Sequence, residues 1–293
     1  MSKAYSPGSG GQAAANNEEA IRILCLGDVV GRPGRVVLRE RLPALKQALR
    51  LDMVIANGEN TAGGIGLTVS TFRELIAAGV DVVTSGNHIW KHREIYALLN
   101  ESRVLLRPGN YGSKVPGRGI CVFPLTCGFK VGVLNLMGRT FMEAVESPFG
   151  TADAALEELE KLEADCVILD FHAEASSEKR AMLQYLDGKV TAMLGTHTHV
   201  QTADAYITAS GTANLTDLGM CGVEWDSVIG MGKEAVVRRF ASGLPQSFKP
   251  AKGAPSMNGA LIEVSKTSGK ALSIHLLRDK PVRTIDAALP VQK

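Results

Sequence analysis

Short apolar runs alternate with segments of helical periodicity along this chain of 293 residues, and this alternation restricts the fold more than any other feature. Apolar runs lie at residues 21–27, 53–57 and 81–86, and helical patterns lie at 34–49 and 70–78. Strands that alternate with helices predict βαβ units and a parallel sheet.

The second half of the chain extends the pattern. After a helical pattern near Ile95, shorter strand candidates lie at 119–123 and 131–137, followed by a Glu-rich helix at 152–163. Two further apolar runs, 166–171 and 190–195, have the composition of buried strands. The sequence therefore predicts an α/β protein.

No long linker divides the chain, so the prediction is one domain over residues 21–285. Residues 1–20 are rich in Gly, Ser, Ala and Asn and are predicted to be a disordered leader, with a tail at 286–293. Gly and Pro are frequent within 201–257, which is interpreted as either a lid over a site or a loop-rich edge. Pro43 is expected to bend or split the first helix.

Composition excludes several classes of protein. The 32 Lys and Arg against 30 Asp and Glu leave a net charge of +2, and 45% of residues are hydrophobic. A disordered chain or a protein that captures long nucleic acid through a basic surface is therefore not expected. No apolar stretch is long enough to span a membrane, and the five cysteines are scattered without a C-x-x-C pair. A cytoplasmic protein is the expectation, with homo-oligomerisation left open.

Polar side chains gather directly after the apolar runs. They are Asp28 after the first run, Asn57, Glu59 and Asn60 after the second, Asn87 and His88 after the third, then His172, and finally His197 and His199. In α/β sheets, ligands bind at the carboxyl ends of the strands, so these residues can converge on one crevice. Imidazole, carboxylate and amide donors without thiolate suit manganese, iron, zinc or cobalt and disfavour a structural zinc site.

Purely structural explanations remain open at this point. Asp28 could cap the following helix, and residues 57–60 could form a polar turn. His172 could be a core histidine with satisfied hydrogen bonds, and the Thr196-His197-Thr198-His199 segment could be a hydrogen-bonded turn. Gly27, Gly31 and Gly34 match neither the dinucleotide fingerprint nor the phosphate-binding loop, so they predict only a tight turn.

Five motifs together carry a family resemblance. They are Gly27-Asp28-Val29-Val30-Gly31, Asn57-Gly58-Glu59-Asn60, Gly86-Asn87-His88, Asp170 to Ala175, and Gly195 to His199, supported by Asn135 to Phe141. From about residue 21 to about 283 the chain resembles the calcineurin-like metallophosphoesterases and, within them, the bacterial YmdB-type cyclic nucleotide phosphodiesterases. Val30 replaces a His that is common in the wider superfamily, and Glu59 replaces a bridging Asp, as in the YmdB-type branch.

The resemblance implies a calcineurin-like fold, in which helices flank central β-sheets and a dimetal site lies at the carboxyl ends of the strands. It implies two divalent transition-metal ions, iron or manganese above others. The implied ligands are Asp28 and His199 with Asn60 nearby on the first metal, a bridging Glu59, and Asn87, His172 and His197 on the second.

The resemblance leaves His88 outside the ligand set, as the proton donor. Arg139 is a candidate for holding a phosphate oxygen, because a guanidinium matches its geometry, although a salt bridge that orients a loop would explain Arg139 equally well. Asp170 and Glu174 flank His172 and could orient the ligands, as metal-bound imidazoles require.

The predicted reaction is hydrolysis of a small phosphodiester. A metal-bridging hydroxide would attack phosphorus in line, and His88 would protonate the leaving oxygen. The expected substrates are 2',3'-cyclic or 3',5'-cyclic nucleotides such as cAMP. The alternatives are a phosphomonoesterase or an RNA-end nuclease that uses the same site, and a regulatory binding protein with little turnover.

Overall fold

Two β-sheets pack face to face, and helices cover the outer face of each, which gives four layers. The computed structural model describes residues 20–279. The predicted leader, apart from Ala20, and the predicted tail at 286–293 lie outside these described residues.

The first sheet has seven strands in the order β2-β11-β14-β1-β3-β4, with β15 paired to β14. Strands β1, β3 and β4 run parallel, whereas β14 is antiparallel to both β1 and β15. The strands are β1 (Ala20–Leu26), β2 (Asp28–Val29), β3 (Met53–Asn57), β4 (Val82–Thr84), β11 (Met220–Gly222), β14 (Ser256–Ser265) and β15 (Ala271–Asp279).

The second sheet has six strands in the order β5-β6-β7-β8-β10-β9, and its four central strands are parallel. A small hairpin of two strands stands apart from both sheets. The strands of the second sheet are β5 (Ile120–Pro124), β6 (Lys130–Met137), β7 (Cys166–His172), β8 (Ala192–Thr196), β9 (Tyr206–Ile207) and β10 (Ala213–Leu215), and the hairpin consists of β12 (Ser227–Val228) and β13 (Met231–Gly232).

Six α-helices and one 3-10 helix complete the described residues. Helices α1 and α2 pack on the first sheet, whereas α4 and α5 pack on the second. The helices are α1 (Gly31–Ala48), α2 (Val69–Ala77), α3 (Ile95–Glu101), α4 (Pro148–Lys161), α5 (Ser176–Leu186) and α6 (Lys233–Ser242), and the 3-10 helix is Asn87–Lys91.

Side-chain alternation in the strands explains the layers. In β1, Ile21, Ile23 and Cys25 face the second sheet, whereas Leu24 and Leu26 face the helices. Successive residues of a strand point to opposite faces, so a strand covered on both sides is apolar throughout. This is why the sequence showed continuous apolar runs at these strands.

The structure corrects several expectations from the sequence. Instead of one parallel sheet there are two mixed sheets, each with a parallel core. Helix α1 is not split at Pro43, because Pro43 lies on its exposed face, where water can reach the carbonyl group that the proline leaves unpaired. Helix α5, directly after β7, and α6, within 201–257, were not predicted.

Among residues 20–279, no helix combines the length and the apolar character that crossing a lipid bilayer requires.

Candidate metal centre

The polar residues that follow the strands meet where the carboxyl ends of the two sheets come together. Asp28 begins β2, and residues 59–60 and 87–88 follow β3 and β4 of the first sheet. His172 ends β7 of the second sheet, and residues 197–199 follow β8. All seven predicted ligands and His88 therefore lie in one cluster, which is called the metal centre below.

The first group of donor atoms surrounds the Nε2 atom of His172. Glu59 Oε1 lies 3.2 Å from this nitrogen, His197 Nδ1 lies 3.0 Å from it, and Asn87 Oδ1 lies 3.3 Å from it. Ligand atoms of Glu59, His172 and His197 all lie within 4.8 Å of one another. One cation can therefore reach several of these donors at once.

Hydrogen bonds assign the tautomer of His172. The Thr196 hydroxyl donates to Asp170 Oδ1 at 2.7 Å, so its oxygen is left to accept from His172 Nδ1 at 2.9 Å. Nδ1 therefore carries a proton, and Nε2 is the ring nitrogen that faces the donor group. Such a partner on the second ring nitrogen is what a metal-bound imidazole requires.

His197 has a similar arrangement. Its Nε2 lies 3.1 Å from Glu174 Oε2, a carboxylate oxygen that accepts a hydrogen bond and so places the ring proton there. The Nδ1 lone pair of His197 then faces the Nε2 lone pair of His172 at 3.0 Å. Two lone pairs this close repel each other unless a cation or a proton lies between them.

The second group of donor atoms contains Asp28, His199 and Asn60. His199 Nδ1 lies 3.0 Å from the carbonyl oxygen of Ile229, which can only accept, so Nδ1 carries a proton and Nε2 is the nitrogen available to a metal ion. Asp28 Oδ1 lies 3.7 Å from that nitrogen, and Asn60 Nδ2 lies 3.2 Å from it. Asp28 Oδ1 is buried and has no hydrogen-bond partner among the described residues, as expected of an atom reserved for a cation.

Electrostatics keeps both carboxylates charged in this buried site. Burial by itself would raise the pKa of Asp28, but His199 and His172 lower it below the ordinary value. Burial opposes ionisation of Glu59 too, yet His172 and His88 hold its pKa well below its usual range. Asp28 and Glu59 therefore carry their negative charges before any metal ion binds.

The pKa values of His197 and His199, the two histidines of the His197-Thr198-His199 segment (the H-x-H segment), shift in opposite directions. Burial and the neighbouring His172 lower the pKa of His197 to about 4. Burial would also lower that of His199, but Asp28 outweighs burial and raises the pKa of His199 to about 9. Without a metal ion, His199 therefore carries a proton at neutral pH, and a cation would have to displace it.

His88 lies at the rim of the metal centre. Its backbone N–H donates to Glu59 Oε2 at 3.1 Å, and its Nδ1 lies 2.9 Å from Asn60 Oδ1 and 3.2 Å from Glu59 Oε1. The side chain is 34% exposed, and its Nε2 has no partner among the described residues. A half-exposed imidazole held at one nitrogen suits proton transfer by the other nitrogen.

Gly86, just before Asn87, leaves the space that the metal centre occupies. A Cβ atom at this position would lie 2.2 Å from His172 Nε2 and 2.3 Å from Glu59 Oε2. A side chain at this position would therefore push His172 and Glu59 out of their places in the donor group.

Arg139 lies in the loop after β6, beside β7. The backbone N–H groups of Arg139 and Thr140 donate to the Glu178 carboxylate, and the N–H of Gly138 donates to the carbonyl oxygen of His172 at 3.0 Å. The exposed guanidinium makes no ion pair with any described residue, so the salt-bridge alternative finds no partner there.

Behind the ligands lies a layer of hydroxyl and amide groups that was not predicted from the sequence. Asn57 Nδ2 donates to Asp170 Oδ2 at 3.2 Å, and the Thr84 hydroxyl donates to the same oxygen. Thr196 completes the layer, because its hydroxyl group connects Asp170 with His172 through two hydrogen bonds. The position of Thr196 directly before the H-x-H segment was the one signal that could have revealed this layer.

Similarity to known proteins agrees with this geometry. The sequence model of the family described as "YmdB-like protein" matches residues 24–277. The chain is also 42% identical over 254 residues to the 2',3'-cyclic-nucleotide 2'-phosphodiesterase of Bacillus subtilis, covering 87% of this chain and 95% of that protein. The chain belongs to the YmdB-like family.

Solved structures of related proteins share the fold of this YmdB-like protein. A novel phosphatase from Mycoplasma pneumoniae superimposes with a TM-score of 0.83 at 36% identity, covering 89% of this chain and 95% of that chain. A hypothetical protein from Thermus thermophilus gives 0.81 at 41% identity, covering 89% and 100%. The expected calcineurin-like architecture is confirmed.

Proposed function

We propose that this protein hydrolyses cyclic nucleotides and that its metal centre holds two divalent ions. The broader prediction of a hydrolase that acts on phosphoric diesters is confirmed by the names of its curated relatives. The 2',3'-cyclic nucleotides are the favoured substrates, because the Bacillus subtilis relative is named for them. Activity on 3',5'-cyclic nucleotides such as cAMP is the narrower part of the proposal.

One observation carries the proposal for metal. His172 Nδ1 donates its proton to the Thr196 hydroxyl, and His197 Nε2 donates its proton to the Glu174 carboxylate. The other ring nitrogens of the two histidines face each other at 3.0 Å. With a carboxylate oxygen of Glu59 also 3.2 Å from His172 Nε2, this arrangement needs a positive charge between the donors, and a divalent cation can bind all three of them at once, which a proton cannot. The residues present therefore fit a metal.

Two ions would divide the ligands between the two donor groups. Asp28, His199 and Asn60 would hold the first, and Asn87, His172 and His197 would hold the second. Glu59 would bridge them, since its carboxylate accepts from Asn60 in one group and lies beside His172 in the other. The nitrogen and oxygen donors and the absence of thiolate from this set favour iron or manganese.

When bound, two divalent ions supply a water molecule of lowered pKa and neutralise charge on the phosphoryl oxygens. The side chains of this protein do the rest. His88, held by Asn60 and Glu59, protonates the leaving oxygen through Nε2. Arg139 holds a non-bridging oxygen of the phosphodiester, which its exposed guanidinium is free to do. Burial of the ligands excludes bulk water from the charged donors.

The test joins metal analysis to a substrate panel. Protein purified without chelator would be assayed for bound metal and for turnover of 2',3'-cAMP, 3',5'-cAMP, bis-p-nitrophenyl phosphate and p-nitrophenyl phosphate. The expected result is close to two iron or manganese ions per chain and fastest turnover of a cyclic diester. Fastest turnover of the monoester, or background rates on every diester with both metals bound, would contradict the proposal.

A further inference from the structure

An ion pair lies buried behind the metal centre, in a place that hydrophobic residues could fill. Lys179 Nζ, on α5, lies 2.7 Å from Asp217 Oδ2, in the segment between β10 and β11, and each side chain is 1% exposed. Removing two charges from water is costly, and well-packed apolar residues often replace such a pair without loss of stability. The Lys179–Asp217 pair therefore calls for an explanation other than stability.

The pair grips the H-x-H segment on both sides of His197. Lys179 Nζ donates to the carbonyl oxygen of Thr196 at 2.8 Å. Asp217 Oδ2 accepts from the backbone N–H of Thr198 at 3.1 Å and from its hydroxyl at 2.8 Å. Residues 196 and 198 are thus fixed by one pair of side chains, and the histidine between them is fixed with them.

This grip coincides with unusual backbone geometry. His197 has a φ of 98° and His199 a φ of 64°, in the left-handed region that residues other than glycine rarely adopt. Such conformations persist where the surrounding structure imposes them. Two strained ligands flank the residue that Asp217 holds, so the carboxylate is in the right place to impose their geometry.

The other oxygen of Asp217 reaches toward the first sheet. Asp217 Oδ1 accepts from the backbone N–H of Gly219 at 2.8 Å, and the Gly219 carbonyl oxygen accepts from the backbone N–H of Asp28 at 3.2 Å. A direct hydrogen bond also connects the two sheets here, because the backbone N–H of His197 donates to Asp28 Oδ2 at 3.0 Å. One carboxylate therefore connects ligands that belong to different sheets.

We propose that Lys179 and Asp217 are positioning residues that set the spacing between Asp28 and the two histidines of the H-x-H segment, and so set the affinity of the metal centre. This inference rests on the proposed function, since it concerns the same ions. Both side chains are buried, so neither is open to a bound substrate. The effect of Lys179 passes through Thr196, and that of Asp217 passes through Thr198 and Gly219, to the ligands.

The experiment separates positioning from stability. Chelator-stripped wild type, Lys179→Met, Asp217→Asn and the double variant would be titrated with Mn²⁺ and melted in the metal-free state. The single variants should lose thermal stability, because each leaves one member of the pair without its partner. The double variant should recover much of that stability, yet its Mn²⁺ affinity should stay about 10- to 100-fold below wild type, the range seen when outer residues of metal sites are changed.

A second variant covers the case in which the pair variants fail to fold. Thr198→Val removes the hydroxyl bond to Asp217 from a half-buried residue and leaves the pair intact. We expect a smaller loss of Mn²⁺ affinity, with a melting temperature close to that of wild type.

The matched control is the pair of Lys46 and Asp81, 2.8 Å apart and partly buried near the start of β4. Lys46→Met should lower the melting temperature and leave the Mn²⁺ affinity unchanged.

Two outcomes overturn the inference in different ways. A folded double variant and a folded Thr198→Val variant that both bind Mn²⁺ as tightly as wild type would overturn the positioning role alone. A wild type that binds no divalent ion would overturn the inference together with the proposed function.

Discussion

Charged side chains are exposed at one end of strands β7 and β8 and buried at the other end. At the end where these strands begin, a cavity of about 670 Å³ is lined by residues such as Asp153, Lys189 and Gly269. The Lys189–Asp153 pair there is 3.8 Å apart, and its side chains are 52% and 46% exposed. At the end where the strands finish, Asp28, Glu59 and His172 are buried and face one another.

The difference shows that the volume of a cavity does not locate the chemistry in this fold. Water weakens the interaction between the exposed charges at the beginning of the strands, whereas burial shields the charges at the carboxyl ends from this screening. Buried charges that are incompletely paired create a demand for a cation, and an open cavity creates none. The predictions below test this contrast, from the largest expected effect to the smallest.

The largest effect is expected at Glu59. Glu59→Gln keeps the shape of the side chain but removes the charge proposed to bridge two ions. Bound metal should fall well below two per chain, and turnover should fall to the level of chelator-treated protein. Metal analysis and a cyclic nucleotide assay measure both, with Glu163→Gln on the exposed Lys130 pair as the control. Full metal content in Glu59→Gln would contradict the bridging role.

His88 should separate catalysis from metal binding. His88→Ala removes the proposed proton donor, so kcat should fall by about 10²- to 10⁴-fold while bound metal stays near two per chain. Loss of metal in this variant would instead place His88 among the ligands. A substrate with a p-nitrophenolate leaving group, which needs little protonation, should lose less activity than a cyclic nucleotide.

Removal of the metal should lower the melting temperature of the whole protein, and local opening should increase mainly at the end of the sheets where the ligands lie. When the free metal concentration is about a thousand times the dissociation constant, binding stabilises the folded state by about 4 kcal/mol. This corresponds to roughly 10 °C in melting temperature for a domain of this size. Hydrogen exchange after chelation should rise around residues 196–199 and 57–60. If hydrogen exchange increased only at the starting ends of β7 and β8, the proposed location of the metal at their carboxyl ends would be wrong.

Arg139 should affect substrate binding more than turnover. Arg139→Ala is expected to raise KM for a cyclic nucleotide by about tenfold, the value of one lost charge-assisted contact, with bound metal unchanged. Arg139→Lys should recover only part of the loss, because an ammonium cannot bind two oxygens in the plane of a guanidinium. An unchanged KM in Arg139→Ala would leave the residue without a role in binding.

The smallest effect is expected at the starting end of the strands. Lys189→Met breaks the exposed pair with Asp153 and should change the free energy of unfolding by less than about 0.5 kcal/mol. Metal content and kcat should equal those of wild type. A large loss of activity would show that the two ends of the sheets are coupled.

Much of the metal centre could be predicted because its residues follow strands. Parallel strands present their carboxyl ends along one edge, so the apolar runs could place Asp28 beside Glu59, and His172 beside the H-x-H segment, within their respective sheets. The number of sheets could not be predicted in this way. A strand buried between two sheets and a strand buried between a sheet and helices have the same apolar pattern.

The residues behind the ligands could not be predicted, for a different physical reason. Thr84 and Asn57 reach Asp170 only because β3 and β4 of the first sheet face β7 of the second. Lys179 and Asp217 are 38 positions apart on elements without a shared motif. Hydrogen bonds between distant segments leave no periodicity in the sequence, so only the packed fold reveals them.

Gly86 is essential to the metal centre although it supplies no donor atom. Because one added methyl group would collide with both His172 and Glu59, a mutational scan of activity would score this position as severely as a ligand. A map of essential positions would then count one ligand too many, at a residue whose contribution is the space it leaves unfilled.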